Sequence, residues 1–138
     1  MTFCNSFGSR GTGNGQFNFP YDVALDGTGN VYVADRFNNC IQVFTADGQY
    51  LRQFGRKGKG NGELDNPSSI DIDTDNVVYV TECGNHRVSV FTCEGKFLTS
   101  FRRKGSEPGQ FDSPYGIAVG KDGVVYVTDC YNDRIQLF

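Results

Sequence analysis

The chain repeats itself every 47 residues. Pro20, Pro67 and Pro114 keep that step, as do Tyr32, Tyr79 and Tyr126, and Phe44, Phe91 and Phe138. The acids Asp35, Glu82 and Asp129 and the amides Asn38, Asn85 and Asn132 follow it too, with no gap anywhere. The copies cover approximately residues 7–53, 54–100 and a shorter 101–138, together one unit over 1–138. A repeat of this length implies stacked copies of one supersecondary unit, each covering its neighbour's apolar face.

Inside a copy the pattern is β throughout. A short apolar run follows each proline: Val23–Leu25, Ile70–Ile72 and Ile117–Val119. Turn residues come next, then "VYVA" or "VYVT", then "IQVF", "VSVF" or "IQLF". The latter two runs alternate with the period of a strand. "ADGQ" and "CEGK" read as hairpin turns with glycine in the left-handed position, leading to fourth runs "YLRQF" and "FLTSF". No stretch carries a helical apolar stripe. Four short strands per repeat with glycine punctuation describe the blade of a β-propeller, so the expected fold is all-β. Tryptophan is absent, which argues against the Trp-Asp type of propeller repeat.

The motifs "VYVADRFNNCIQVF", "VYVTECGNHRVSVF" and "VYVTDCYNDRIQLF" resemble the NHL repeat. "GNHRV" at residues 84–88 matches its signature best; "YNDRI" keeps the Asn and Arg; "FNNCI" has Cys40 where the Arg stands. The resemblance extends over nearly the whole chain and implies a six-bladed ring. It also implies a binding module like that of TRIM-type (tripartite motif) ubiquitin ligases, in which the propeller recognises protein substrates or RNA and a separate RING domain performs transfer.

Residues 3–7, "FCNSF", align with the fourth strand. The expected strand order is therefore d-abcd-abcd-abc: twelve strands, half of a six-bladed ring, cut out of phase with the blades. The missing half would come from further blades of a parent chain, taken as the first reading, or from a second copy forming a homodimer. A strained closure of three blades on themselves is disfavoured, because open arcs leave apolar faces and strand edges bare.

Antiparallel connections put the d→a and b→c loops on one face. That face receives ten of the thirteen basic residues, although the net charge is only −3. Two loops concentrate them: Arg56, Lys57 and Lys59, and Arg102, Arg103 and Lys104. Phe37, His86 and Tyr131 lie in the adjacent b→c loops. Cations beside aromatic or imidazole planes are how single-stranded RNA is held. Charge blocks are more often plain solvated surface, and Glu63, Asp65, Glu107 and Asp112 are interspersed here. The resemblance adds weight to a protein or RNA partner on this rim, since some NHL propellers bind RNA on such a face.

Asp35, Glu82 and Asp129 end strand b; Arg87 and Arg134 begin strand c five residues on. A carboxylate and a guanidinium at that spacing can pair across the turn or bridge to the next blade. A residue repeated in every blade answers a need of every blade, so these are read as structural. Asn38, Asn85 and Asn132 are expected to take the positive-φ position of the turn. Cys40 cannot form the pair, so the first turn is expected to be looser.

The five cysteines form no Cys-x-x-Cys, and the single His86 has no spaced partner, so no metal or cofactor is expected. An odd cysteine count without a secretory signal suggests the cytoplasm. No apolar run is long enough to span a membrane. No nucleophile elbow or phosphate loop is present, which leaves a non-catalytic binding module as the expected function. A stand-alone RNA-binding protein is the first alternative. A propeller lyase or extracellular adhesive module is less favoured, because such lyases use several histidines.

Overall fold

The computed structural model describes residues 1–101 and 103–138. Two short strands, β1 (Ser9–Arg10) and β2 (Gln16–Phe17), pair in parallel ahead of the first blade. That blade is β3 (Pro20–Leu25), β4 (Val31–Asp35), β5 (Cys40–Phe44) and β6 (Tyr50–Phe54). The second is β7 (Pro67–Ile72), β8 (Val78–Glu82), β9 (Arg87–Phe91) and β10 (Phe97–Phe101). The third is β11 (Pro114–Val119), β12 (Val125–Asp129) and β13 (Arg134–Leu137). Each is an antiparallel meander in chain order. Each innermost strand starts on its proline, where a missing N–H costs no ladder bond, with a bulge just after it.

The all-β propeller with half a ring of blades is thus present. The innermost strands β3, β7 and β11 contact one another in sequence, which stacks the blades face to face. Tyr32, Ala34, Ile41 and Val43 of the first blade pack on Ile70, Val78, Val80 and Phe91 of the second. Val88 and Tyr79 of the second pack on Phe111, Val125 and Val127 of the third. Phe7, Phe54 and Phe101, one repeat apart, each stack on the last aromatic residue of a strand c: Phe44, Phe91 and Phe138, with centroids 5.0–5.1 Å apart. No helix among the described residues is long and apolar enough to cross a membrane.

Two expectations need correcting. Residues 3–7 form no strand, although Phe7 keeps its repeat position. A strand d needs a strand c beside it, and this segment has none within the described residues. The positive-φ residues of the b→c turns are also one position further on than expected: Asn39 (54°), His86 (52°) and Asp133 (51°). Asn38, Asn85 and Asn132 are instead held by hydrogen bonds to the neighbouring loop.

Candidate functional site

The b→c turns and d→a loops share one face because a single polar clasp ties them. In each repeat the strand-b carboxylate accepts a backbone N–H from the loop: Asn18 on Asp35 (2.8 Å), Asp65 on Glu82 (3.1 Å) and Asp112 on Asp129 (2.7 Å). The turn asparagine bonds the same carboxylate and donates to a loop carbonyl, at Gly11, Gly58 or Gly105 (2.8–2.9 Å). Below these, an inward residue of each loop anchors it, with Leu64 and Phe111 fully buried and Phe17 stacked on Phe44.

Arginine completes the clasp in two copies. Arg87 Nε donates to Glu82 (2.7 Å) while its other nitrogens reach the carbonyls of Lys59, Gly60 and Glu63 (2.8–3.0 Å). Arg134 repeats this with Asp129 (2.8 Å) and the carbonyls of Ser106, Glu107 and Gln110 (2.8–2.9 Å). Burial pushes the Asp129 carboxyl upward, but the Asp112 N–H, Asn132 and Arg134 outweigh it and hold the group below its ordinary value. In the first copy Cys40 is buried and makes no such clasp; burial next to Asp35 lifts its thiol to about 12. Gln42 donates to the Gln16 carbonyl and to Asp35 while accepting from Gly15 N, the same contacts that Gln136 makes beside Arg134 in the third copy.

The clasp also conserves reach. Copies one and three pair a short acid with a long amide, Asp35 with Gln42 and Asp129 with Gln136 (2.9 and 3.0 Å). Copy two pairs a long acid with a short hydroxyl, Glu82 with Ser89 (2.5 Å).

The rim residues fall into three groups. Lys57, Lys59, Arg103 and Lys104 are exposed, and their side chains have no partner among the described residues. Arg56 is exposed but paired with Glu63 (3.1 Å), which lowers its value as a free cation. Arg102 lies outside the described residues. Phe37 packs on Phe19 with half its surface exposed, and Tyr131 is mostly exposed. His86 stands apart: its Nδ1 accepts the Ser113 N–H (3.0 Å) and lies 3.4 Å from Asp112. It is a joint between blades two and three, not a free stacking plane. A shallow depression of roughly 370–480 Å³ recurs beside every d→a loop. Its recurrence marks it as a consequence of loop shape.

One cluster breaks the repeat. Tyr21, Ser68 and Tyr115 occupy one repeat position, and Arg36, Cys83 and Cys130 another. Near the axis, where the innermost strands meet, Arg36 reaches across the blades. Its guanidinium stacks over the Tyr21 ring (4.3 Å), donates to the Tyr115 hydroxyl (3.0 Å) and approaches Cys83 Sγ (3.8 Å). The Arg36 Nε is buried without a partner among the described residues. The two tyrosine rings lie 6.4 Å apart. Burial lifts the Cys83 thiol above its ordinary value, and the Arg36 charge opposes it only in part. Arg36 is one of the ten basic residues expected on this face, but its partners are not evident from the sequence. The available signal was that these two positions differ between otherwise matched copies.

Among the described residues no group of three or more His, Cys, Asp or Glu side chains is placed to hold a metal ion.

Comparison with known proteins agrees with this architecture. A family described as "6-bladed beta-propeller" matches residues 23–84, and the NHL repeat family matches residues 111–138. NHL repeat-containing protein 3 of Homo sapiens is 53% identical over 45 residues, covering 32% of this chain and 13% of that protein. Protein lin-41 of Caenorhabditis elegans is 41% identical over 46 residues, covering 33% and 4%. E3 ubiquitin-protein ligase TRIM71 of Rattus norvegicus is 49% identical over 45 residues, covering 33% and 5%. The match thus spans a small part of each relative's length. Among solved structures, a chain of a nidogen/laminin complex superimposes with a TM-score of 0.70 at 21% identity, over 86% of this chain and 42% of that one. A virginiamycin B lyase from Staphylococcus aureus gives 0.65 at 23% identity, over 84% and 36%. At these identities the likeness shows the fold alone.

Proposed function

We propose that this chain, a β-propeller array of NHL repeats, is a non-catalytic module that binds a protein partner at the axial end of its loop face. The observation that carries the reading is the Tyr21–Arg36–Tyr115 cluster. Arginine and tyrosine are the side chains that most often anchor protein interfaces, because they combine apolar area with oriented donors at low entropic cost. Here they are pre-positioned on the first and third blades, and the surrounding clasp keeps the loops fixed. Cys130 and Tyr131, both exposed, flank the same end.

The likeness to NHL proteins, one of them named as a ubiquitin ligase, supports a role as the targeting part of a TRIM-type ligase. The five free cysteines support a reducing, cytoplasmic setting. To test the reading, a displayed peptide library is selected on the purified chain. Enriched peptides should lose at least tenfold in affinity on Arg36→Ala and keep it on Lys59→Ala. Peptides indifferent to Arg36, or no enrichment, would contradict it.

RNA is the second reading, favoured by Lys57, Lys59, Arg103 and Lys104, whose side chains have no partner among the described residues and stand on neighbouring loops. It requires affinity for single-stranded RNA that falls steeply with salt and drops on replacing Arg103 and Lys104. A flat salt response removes it.

A further inference from the structure

We propose that Asn61 is a site of spontaneous covalent modification, at which the chain's own backbone converts the side-chain amide into aspartate and isoaspartate. The chain has two Asn-Gly bonds, Asn14–Gly15 and Asn61–Gly62, one repeat apart, and both asparagines are exposed. Glycine, with no side chain, is the neighbour that least hinders attack on the preceding residue. Sequence and exposure treat the two bonds alike. Their hydrogen bonding separates them.

Both bonds sit in the same tight turn. Gln16 N donates to Gly13 O (3.0 Å), Glu63 N to Gly60 O (3.1 Å) and, in the third copy, Gln110 N to Glu107 O (2.9 Å). Gly15, Gly62 and Gly109 have φ of 77°, 81° and 81°, the left-handed value that a type II turn needs at its third residue. The third copy has Pro108 in the asparagine's place, a residue favoured at that point of the turn. Neither Asn14 nor Asn61 makes a side-chain hydrogen bond among the described residues.

The glycine nitrogens differ. Gln42 Oε1 accepts the Gly15 N–H (2.9 Å), and Gln136 Oε1 accepts the Gly109 N–H (2.8 Å). In the second copy the matching side chain is Ser89, whose hydroxyl donates to Glu82. It is shorter than a glutamine amide, and the Gly62 N–H has no partner among the described residues. The exchange of acid and amide lengths that preserves the clasp thus leaves one turn nitrogen untied.

That nitrogen is the nucleophile. It gives up its proton and attacks Asn61 Cγ. An N–Cγ bond forms, the bond from Cγ to the side-chain nitrogen breaks, and ammonia leaves with the proton. Water then opens the five-membered ring. Cleavage at Cγ gives aspartate; cleavage at the main-chain carbonyl gives isoaspartate, with the chain rerouted through Cβ. An acceptor fixed on the N–H opposes both the loss of its proton and the rotation that brings the nitrogen onto Cγ. Gln42 therefore protects Asn14, and Asn61 lacks that protection.

The product lies inside a clasp. Arg87 holds the carbonyls of Gly60 and Glu63 on either side of the reacting bond (3.0 and 2.8 Å). Isoaspartate adds one carbon to the backbone between them, and either product adds a negative charge to the loop of Arg56, Lys57 and Lys59. Ageing of the chain loosens the second clasp and lowers the positive charge of its loop.

Peptide mapping by mass spectrometry, on the folded chain aged in mildly alkaline buffer, tests this. Conversion at Asn61 should run roughly fivefold faster than at Asn14, the rate ratio expected from one ordinary hydrogen bond. Gln42→Ala should raise the Asn14 rate and leave Asn61 unchanged. Glu82→Asp with Ser89→Gln gives the second copy the acid and amide of the third and should slow Asn61. In the aged chain Gly58 should lose amide protection while Gly11 keeps it. Asn61→Gln should abolish that loss, because a glutamine side chain must close a larger ring, and does so more slowly. Equal rates at the two asparagines, faster conversion at Asn14, or an Asn61 rate that ignores the paired substitution would overturn the assignment. Unchanged Gly58 protection in converted chain would overturn its link to the clasp.

Discussion

The first turn-and-loop unit and the two that follow have the same backbone plan but different fastenings. All three share the carboxylate and the asparagine. Only the second and third add the arginine that gathers three loop carbonyls onto one buried acid. The first has a buried thiol there and reaches one of those carbonyls only through Gln42, where the third uses both Gln136 and Arg134. The carboxylate and asparagine therefore set the position of the loop, whereas the arginine adds to how firmly it is held. A buried guanidinium is tolerated because each nitrogen that donates finds an oxygen, and its charge meets a carboxylate.

The hardest way to break the contrast is to remove an acid from a complete clasp. Glu82→Ala leaves Arg87 buried with no counter-charge, and urea unfolding should show a loss of about 3–5 kcal/mol. Arg134→Ala should cost less, about 2 kcal/mol, because Asp129 keeps three other donors and Arg134 is partly exposed. The same variant should shift acid sensitivity. Asp129 titrates below its ordinary value when folded, so the stability it adds is present above the unfolded pKa and is lost as pH falls through the folded one. Without Arg134 the folded value moves up toward the unfolded one, so in an acid-unfolding series that loss should be smaller and complete at a higher pH.

Cys40→Arg should convert the first unit to the type of the third, where Asp129 takes arginine, asparagine and glutamine together. A gain of about 1 kcal/mol in urea unfolding is expected, and no gain would show that Gln42 already suffices. The smallest effect is alkaline. The Cys40 thiol and the Tyr32 hydroxyl are both raised to about 12, chiefly by burial. Such groups stabilise the fold fully below their unfolded pKa, and that contribution is lost as pH rises toward the folded value. Stability should therefore decline from pH 9 to 12, and Cys40→Val should soften the decline.

The sequence displayed whatever the blades need in common. Strand positions, the glycine turns at Gly48 and Gly95, and the Asp/Glu–Asn–Arg positions all recur at one spacing. It did not display what depends on a missing neighbour: "FCNSF" carries a strand pattern, but a strand without a pairing partner stays unpaired. Nor did it show His86 as a joint, because an imidazole replaces Asn39 there by offering one acceptor nitrogen, a likeness of lone pairs and not of side-chain type. The axial cluster was hidden for another reason. Tyr21, Arg36 and Tyr115 meet through blade stacking across 79 residues of chain, and no local periodicity encodes that approach.

Amide hydrogen exchange at Gly11, Gly58 and Gly105 tests the clasp most directly. Each N–H donates to the equivalent loop carbonyl at 2.9–3.1 Å, so their local bonds are alike and differences report how the loop is held. Gly11 should exchange fastest, Cys40→Arg should slow Gly11 alone, and Arg87→Ala should speed Gly58 alone. Equal protection at the three glycines, unmoved by either substitution, would contradict a clasp that depends on arginine.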